Sequence, residues 1–248
     1  MYILGDIGNT EIKIFLVSTK NKIIKKVILS NKNISEYKLN KLFNKSKFNF
    51  KEIKKILFCS VVPKSFNLIK NFISKKTKVK CYEVKTLDLR SLIKIKVNYK
   101  QVGSDRITNA ISLINYKNNF IILDFGTATT FDVLIYDTYF GGIIAPGIRL
   151  SLNTLSDKAT LIPRINLKII KKVVGKDTIS AVRSGFFWGY AGLIDNIINL
   201  IKKETRRSFK VIITGGFSDL FKKSIKTKVS HNKDITIKGL IKISKLIK

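Results

Sequence analysis

One pattern occurs twice in this chain. Near the start, Tyr2-Ile3-Leu4 runs into Gly5-Asp6-Ile7-Gly8-Asn9-Thr10, and Lys13-Ile14-Phe15-Leu16-Val17 follows. Half a chain later, Ile121-Ile122-Leu123 runs into Asp124-Phe125-Gly126-Thr127-Ala128-Thr129-Thr130, and Phe131-Asp132-Val133-Leu134-Ile135 follows. Each copy reads as an apolar strand closed by Asp-x-Gly-(Asn/Thr) and returned by a second strand, a β-hairpin with a polar tip. Repetition at the midpoint implies two halves of similar design, expected over residues 1–115 and 116–248.

The elements between the hairpins alternate. Lys55–Val62 reads as a strand stopped at Pro63, and Phe66, Ile69 and Phe72 recur at helical spacing over Ser65–Ser74. Val79–Val84 reads as a strand and Arg106–Tyr116 as a helix. In the second half, Asp177–Lys203 is a long helical stretch, interrupted or closely packed at Gly185, Gly189 and Gly192. Val211–Thr214 is a strand stopped by Gly215-Gly216, with helical runs at Ser218–Ser224 and Gly239–Lys248. Strands and helices mixed in this order mean an α/β fold.

The hairpin tips carry chemistry. A strand that ends in a carboxylate and turns through glycine lets backbone N–H groups approach a phosphate closely. The carboxylate then stands where a hydrated Mg²⁺ beside that phosphate could be held. One such turn is equally an ordinary hairpin. The second adds the hydroxyls of Thr127, Thr129 and Thr130 around Asp124, a polar cluster that core packing does not ask for. Two such turns, one from each half, could clamp a polyphosphate across a cleft. Thr214-Gly215-Gly216-Phe217, after a strand and before a helix, could approach a base or ribose. Gly103-Ser104-Asp105-Arg106 sets a carboxylate beside a guanidinium at a helix start, where Asp105 could also be a plain N-cap.

The order of these motifs resembles the acetate and sugar kinase/actin superfamily, and within it the type III pantothenate kinases. The matching segments are DIGNT at 6–10, CSVVP at 59–63, GSDR at 103–106, DFGTATT at 124–130 and GGIIAPGI at 141–148, then DTISAVRSG at 177–185, TGG at 214–216 and ITIKGL at 235–240. The resemblance implies duplicated actin-like ATPase (ribonuclease H-like) domains with a cleft between them. It implies a homodimeric enzyme that uses ATP to phosphorylate pantothenate and opens coenzyme A synthesis, with Mg²⁺ and a monovalent cation, K⁺ or NH₄⁺.

Residue roles follow from the same resemblance. The ATP loop corresponds to Asp6, Ile7, Gly8, Asn9, Thr10, Glu11, Ile12 and Lys13, with Asp6 a candidate Mg²⁺ contact. Thr127 corresponds to an ATP-contacting threonine and Asp124 to the monovalent-cation ligand. Asp105 corresponds to the proton acceptor for the pantothenate hydroxyl. Gly103, Ser104 and Arg106 complete that substrate segment, a planar guanidinium suiting a carboxylate. Tyr99 corresponds to a substrate tyrosine, and Thr178 to a substrate contact made across the dimer. The chain departs from the family pattern twice. Only Lys100-Gln101-Val102 separate Tyr99 from the GxDR motif, and Ser104 stands where Ala is commoner.

Charge pulls in another direction. The formal net charge is +32, enough to raise nucleic-acid binding as a rival function. The cations are mostly Lys, scattered along the whole chain beside abundant Asn and Ile, as A/T-rich codons would produce without a polyanion partner. No specific nucleic acid and no membrane partner is therefore expected. No run reaches the roughly 18 apolar residues of a membrane span, and the polar turn after Leu4 breaks any signal peptide, so a cytoplasmic location is expected. Cys59 and Cys81 read as buried free thiols. His231 reads as exposed in a polar turn and Phe186, Phe187 and Trp188 as core or dimer packing; Asp195 could be a buried polar contact near the cation but is not counted among the site residues. A non-catalytic regulatory homologue is the remaining alternative; Asp6, Asp105, Arg106 and Asp124 all being present counts against it.

Overall fold

The computed structural model describes residues 1–46 and 48–247, which form two compact units. The first comprises Met1–Ile114 together with the chain from Asp234 onward, and the second Asn115–Lys233.

In the first unit, β1 (Tyr2–Ile7), β2 (Glu11–Val17) and β3 (Ile23–Ser30) form an antiparallel meander, and helix α1 (Glu36–Lys45) follows. Ser35 caps α1 by accepting from the Lys38 amide. Strand β4 (Lys55–Ser60) then lies parallel to β1, helix α2 (Pro63–Ser74) begins with proline in its first turn, and β5 (Cys81–Glu83) lies parallel to β4. The short strand β6 (Lys94–Ile95) and helix α3 (Ser104–Leu113) complete the sequential part. Strand order is β3-β2-β1-β4-β5.

One sheet face buries Ile3, Ile12, Ile14, Ile56 and Phe58 against Leu39 and Phe43 of α1 and Ile69, Phe72 and Ile73 of α2. Against the other side of β1 and β4 pack α3 and α7 (Ile235–Ile243). The second half was expected to run to the C terminus. Instead α7 is held by α3, with Thr236 donating to Asn109 Oδ1 at 2.8 Å and Lys242 Nζ donating to the carbonyls of Ile111 and Ile114. Ile235, Ile237, Leu240 and Ile243 of α7 are buried there.

The second unit repeats the plan. Strands β7 (Phe120–Phe125), β8 (Ala128–Ile135) and β9 (Thr138–Pro146) form the meander, followed by α4 (Ile148–Lys158) and the long α5 (Thr178–Thr205). Strand β10 (Lys210–Gly215) lies parallel to β7, and after α6 (Ser218–Phe221) strand β11 (Val229–His231) lies parallel to β10. Along these strands the order is β9-β8-β7-β10-β11, the same as in the first sheet with each number raised by six. The repeated hairpin of the sequence is thus the visible part of a repeated five-strand plan. Asp6 and Asp124 are both the penultimate residue of their first strand.

Boundaries moved where tertiary contacts outweigh apolar pattern. Strand β4 ends at Ser60 because α2 already starts at Pro63. β5 is confined to Cys81–Glu83 by the 3₁₀ turn Val84–Thr86. α5 is continuous through Gly185, Gly189 and Gly192, and a β-carbon at any of the three would meet open space. The expected interruption is absent because a helix tolerates an isolated glycine at modest cost. Phe187 is the buried member of its aromatic trio, stacked on Phe221 at 5.6 Å, while Trp188 is exposed.

Candidate active site

The first hairpin tip is built from the backbone outward. Asp6 lies opposite Cys59 of β4 and Lys13 of β2. The Gly8 amide donates to the Glu11 carbonyl at 2.9 Å and closes the turn, leaving Asn9, Thr10 and Glu11 exposed. Asn31, just past β3, fastens the turn from behind. Its side-chain amide donates to the Gly8 carbonyl at 2.7 Å, its backbone N–H donates to the Thr10 carbonyl at 2.9 Å, and its Oδ1 accepts from Ser65 of α2 at 2.6 Å. Sequence reasoning missed Asn31 and Ser65, because nothing local marks a partner that arrives from another element.

The Asp6 carboxylate is pushed up to about 6, chiefly by burial and next by the negative charge of Asp105, against the pull of Lys13. The Cys59 thiol lies 3.5 Å from Asp6 Oδ1 and 3.7 Å from the Gly5 carbonyl. Burial raises its pKa far above the ordinary range, so it stays a neutral donor. Cys81 is likewise buried and free, its thiol pushed up to about 12 by burial.

The GSDR segment forms the start of α3, with Gly103 as a cap that has no side chain to offer. Asp105 fills that role from inside the helix: its Oδ1 accepts from the Arg106 amide at 2.8 Å. A β-carbon on Gly103 would collide with that same oxygen. Glycine is therefore what lets the carboxylate fold over the helix start. Burial raises the Asp105 pKa, opposed by hydrogen bonds from the helix amides and by the Arg106 charge. Asp105 thus does serve as a cap of the helix start.

Ser104 is fully buried, and its Oγ takes both backbone groups of Ser60, accepting from N at 2.8 Å and donating to O at 3.0 Å. Glu83 joins them with Oε1 3.3 Å from the Ser60 amide. Burial raises the Glu83 pKa. Tyr99 opens a 3₁₀ turn, Tyr99–Gln101, capped by Asn98. Its hydroxyl is buried with no hydrogen-bond partner among the described residues. Burial, and then the Glu83 charge, pushes that phenol up to about 12 and keeps it a donor at neutral pH.

In the second unit, Asp124 lies opposite Thr214 of β10 and Thr130 of β8. Gly126 N donates to the Ala128 carbonyl at 3.1 Å, which turns Thr127 outward into solvent. Strand alternation sends Thr129 inward and fully buries it, so the three threonines do not share one face. Gly215 adopts φ +86, and a β-carbon there would come within 2.5 Å of Asp124 Oδ1. The TGG motif is therefore packed against the DFGT turn. Thr178 is exposed as the first residue of α5, behind a capping box in which Asp177 and Ser180 satisfy each other's amides.

One expectation fails in this unit. His231 is not exposed: Nε2 lies 2.8 Å from Ser218 Oγ and Nδ1 3.4 Å from Asp219. Ser218 in turn donates to the Gly215 carbonyl at 2.7 Å. A lone histidine distant in sequence gave no sign that it braces the glycine turn. Asp195 accepts from the amides of Lys226 and Thr227 and from the Thr227 hydroxyl, which accounts for it as a loop anchor.

Among the described residues no three His, Cys, Asp or Glu side chains gather as a metal cluster. A Mg²⁺ held mainly by phosphates and water, or a monovalent cation on one carboxylate, needs no such cluster. No helix among them is long and apolar enough to cross a membrane.

Known proteins resemble this chain in sequence and in fold. The sequence model of the type III pantothenate kinase family matches residues 2–200. A type III pantothenate kinase of Pelagibacter ubique is 68% identical over 248 residues, covering 100% of both chains. One from Maricaulis maris is 38% identical over 201 residues, 80% of this chain and 78% of its own. Among solved structures, the activator of 2-hydroxyisocaproyl-CoA dehydratase from Clostridium difficile, with bound ADPNP, aligns at TM-score 0.56 and 11% identity, covering 98% of this chain and 92% of its own. Component A of (R)-2-hydroxyglutaryl-CoA dehydratase from Acidaminococcus fermentans aligns at TM-score 0.55 and 10% identity, covering 100% and 99%. The fold is that of the actin-like ATPases.

Proposed function

The chain belongs to the type III pantothenate kinase family and is an ATP-dependent pantothenate kinase of coenzyme A biosynthesis; on that premise we propose that Asp105 accepts the proton of the pantothenate hydroxyl. The observation that carries this is the carboxylate held over the start of α3, with Oδ1 bonded to the Arg106 amide. Phosphoryl transfer passes through a loose transition state, so the hydroxyl proton leaves late and the acceptor's first task is to orient the nucleophile. A carboxylate fixed by backbone amides orients without reorganising. Its burial raises the pKa and makes it a better base than a solvated aspartate.

Gly103, Ser104 and Arg106 make up the rest of the acceptor segment, Arg106 holding the substrate's carboxylate and the Tyr99 hydroxyl donating to the substrate. The Asp6–Lys13 turn takes ATP phosphate through its backbone amides, and Thr127 is the second unit's ATP contact. Asp6 suits Mg²⁺, and Asp124 suits K⁺ or NH₄⁺; bound cations would neutralise charge on the transferred group. A homodimer, with Thr178 contacting the partner's substrate, is supported by apolar side chains left exposed in the second unit: Ile144, Leu150, Leu161, Ile179 and Trp188. The expected setting is the cytoplasm.

The test is turnover. The chain with ATP, pantothenate, Mg²⁺ and K⁺ should form phosphopantothenate, and Asp105→Asn should reduce kcat by about 10²- to 10⁴-fold. A folded Asp105→Asn protein with parental turnover would rule out the assignment.

A further inference from the structure

β5 ends at Glu83, which pairs with Phe58. Past that point the edge of β4 has no strand beside it, and the N–H and C=O of Ser60 need other partners. Ser104 Oγ takes both, and Glu83 Oε1 shares the N–H at 3.3 Å. Glu83 Oε1 and Ser104 Oγ therefore meet at one amide, that of Ser60. The other Glu83 oxygen, Oε2, accepts from the Lys85 amide at 2.6 Å and caps the 3₁₀ turn Val84–Thr86. That turn aims Lys85, whose Nζ donates to the Lys100 carbonyl at 3.1 Å and stands 5.6 Å from the centre of the Tyr99 ring. One carboxylate is thus tied to the segment ahead of Asp105 and to the turn that carries Tyr99.

We infer that Glu83 is a positioning residue for the acceptor side of the reaction: through the Ser60 amide it shares with Ser104 it fixes the start of α3 that presents Asp105, and through Lys85 it fixes the turn that presents Tyr99. The inference rests on reading Asp105 as the proton acceptor. It also gives Ser104 a purpose. A hydroxyl in place of the commoner alanine is what the bare edge of β4 can grip. Glu83 touches no reacting atom, and its ties involve none of the residues of the Asp6–Lys13 turn.

The experiment is steady-state kinetics on the full chain together with ATP titration in the absence of pantothenate. Glu83→Ala should lower kcat/KM for pantothenate about ten- to a hundredfold while ATP affinity stays at the parental value. Glu83→Gln keeps the volume and one acceptor, so it should fall between the two, and it carries the same test if the alanine variant melts early. In an Asp105→Asn background, Glu83→Ala should cost no further kcat, since the group it orients is gone. Parental kcat/KM for pantothenate in either folded variant would overturn the inference. So would parallel losses of ATP affinity and acceptor turnover, the mark of general loosening. Asp105→Asn alone tests the reading beneath it: full turnover there removes the proton acceptor, and the Asp105 half of this inference with it.

Discussion

Gly103 has no room for a side chain because Asp105 fills the space: a β-carbon there would run into Oδ1 of that carboxylate. Gly103→Ala should therefore displace Asp105 while leaving α3 formed, since Gly103 lies outside the helix interior. We expect kcat to fall about a hundredfold with the melting temperature nearly unchanged. Kinetics and thermal melts on the same preparation check it, and an active alanine variant would show that Asp105 tolerates another rotamer.

Asp6 couples pH to stability in an uncommon direction for an aspartate. The fold raises its pKa from 3.8 to about 6, so the folded state favours the protonated form. The stabilisation from this group is fully present below pH 3.8 and is lost as pH rises through about 6. Above that, burying the ionised carboxylate costs on the order of 3 kcal/mol. Asp6→Asn should melt higher than the parent at pH 8, in chelator and without nucleotide, and lose that advantage at pH 4. It should also lose turnover, a stability–activity trade-off at one atom. Equal melting temperatures at pH 8 would contradict the assignment.

Asn31 holds the Gly8–Glu11 turn by its side chain as well as by its backbone N–H. Asn31→Ala removes the bonds to the Gly8 carbonyl and the Ser65 hydroxyl, worth about 1–2 kcal/mol together. Because the turn then relaxes, KM for ATP should rise by roughly tenfold, with KM for pantothenate unchanged. Substrate-varied kinetics distinguish this from a general defect, in which both would move.

Gly215 combines a positive φ of +86 with a neighbour, Asp124 Oδ1, that would stand 2.5 Å from any β-carbon. Gly215→Ala should cost about 2 kcal/mol or more of second-unit stability. It should also push the Asp124 carboxylate aside and raise the K⁺ concentration needed for half-maximal activity. A potassium titration alongside a denaturant melt reads both effects.

The candidate site residues of the hairpins were legible in sequence because they sit at strand ends, where a polar turn interrupts an apolar run. Asp6 and Asp124 were found that way, Asp105 from a carboxylate set beside Arg106 at a helix start, and the two hairpins announced the duplicated sheet. The supports were not legible. Asn31, Ser65, Glu83 and His231 are ordinary polar residues whose meaning comes from what folding brings beside them. Glu83 in particular lies inside an apolar strand pattern that stops early only because Val84–Thr86 turns. The same holds for α5: its glycines suggest breaks, yet twenty-eight residues of continuous i→i−4 bonding absorb them.

The return of α7 to the first unit has a consequence for biogenesis. The second unit is one uninterrupted stretch, whereas the first needs α7, translated after all of the second, to cover one side of β1 and β4. As the chain leaves the ribosome, the later-encoded unit can close first. The earlier-encoded sheet must wait with an apolar flank bare, a window in which chaperone capture or C-terminal truncation would act on the half that carries Asp6 and Asp105.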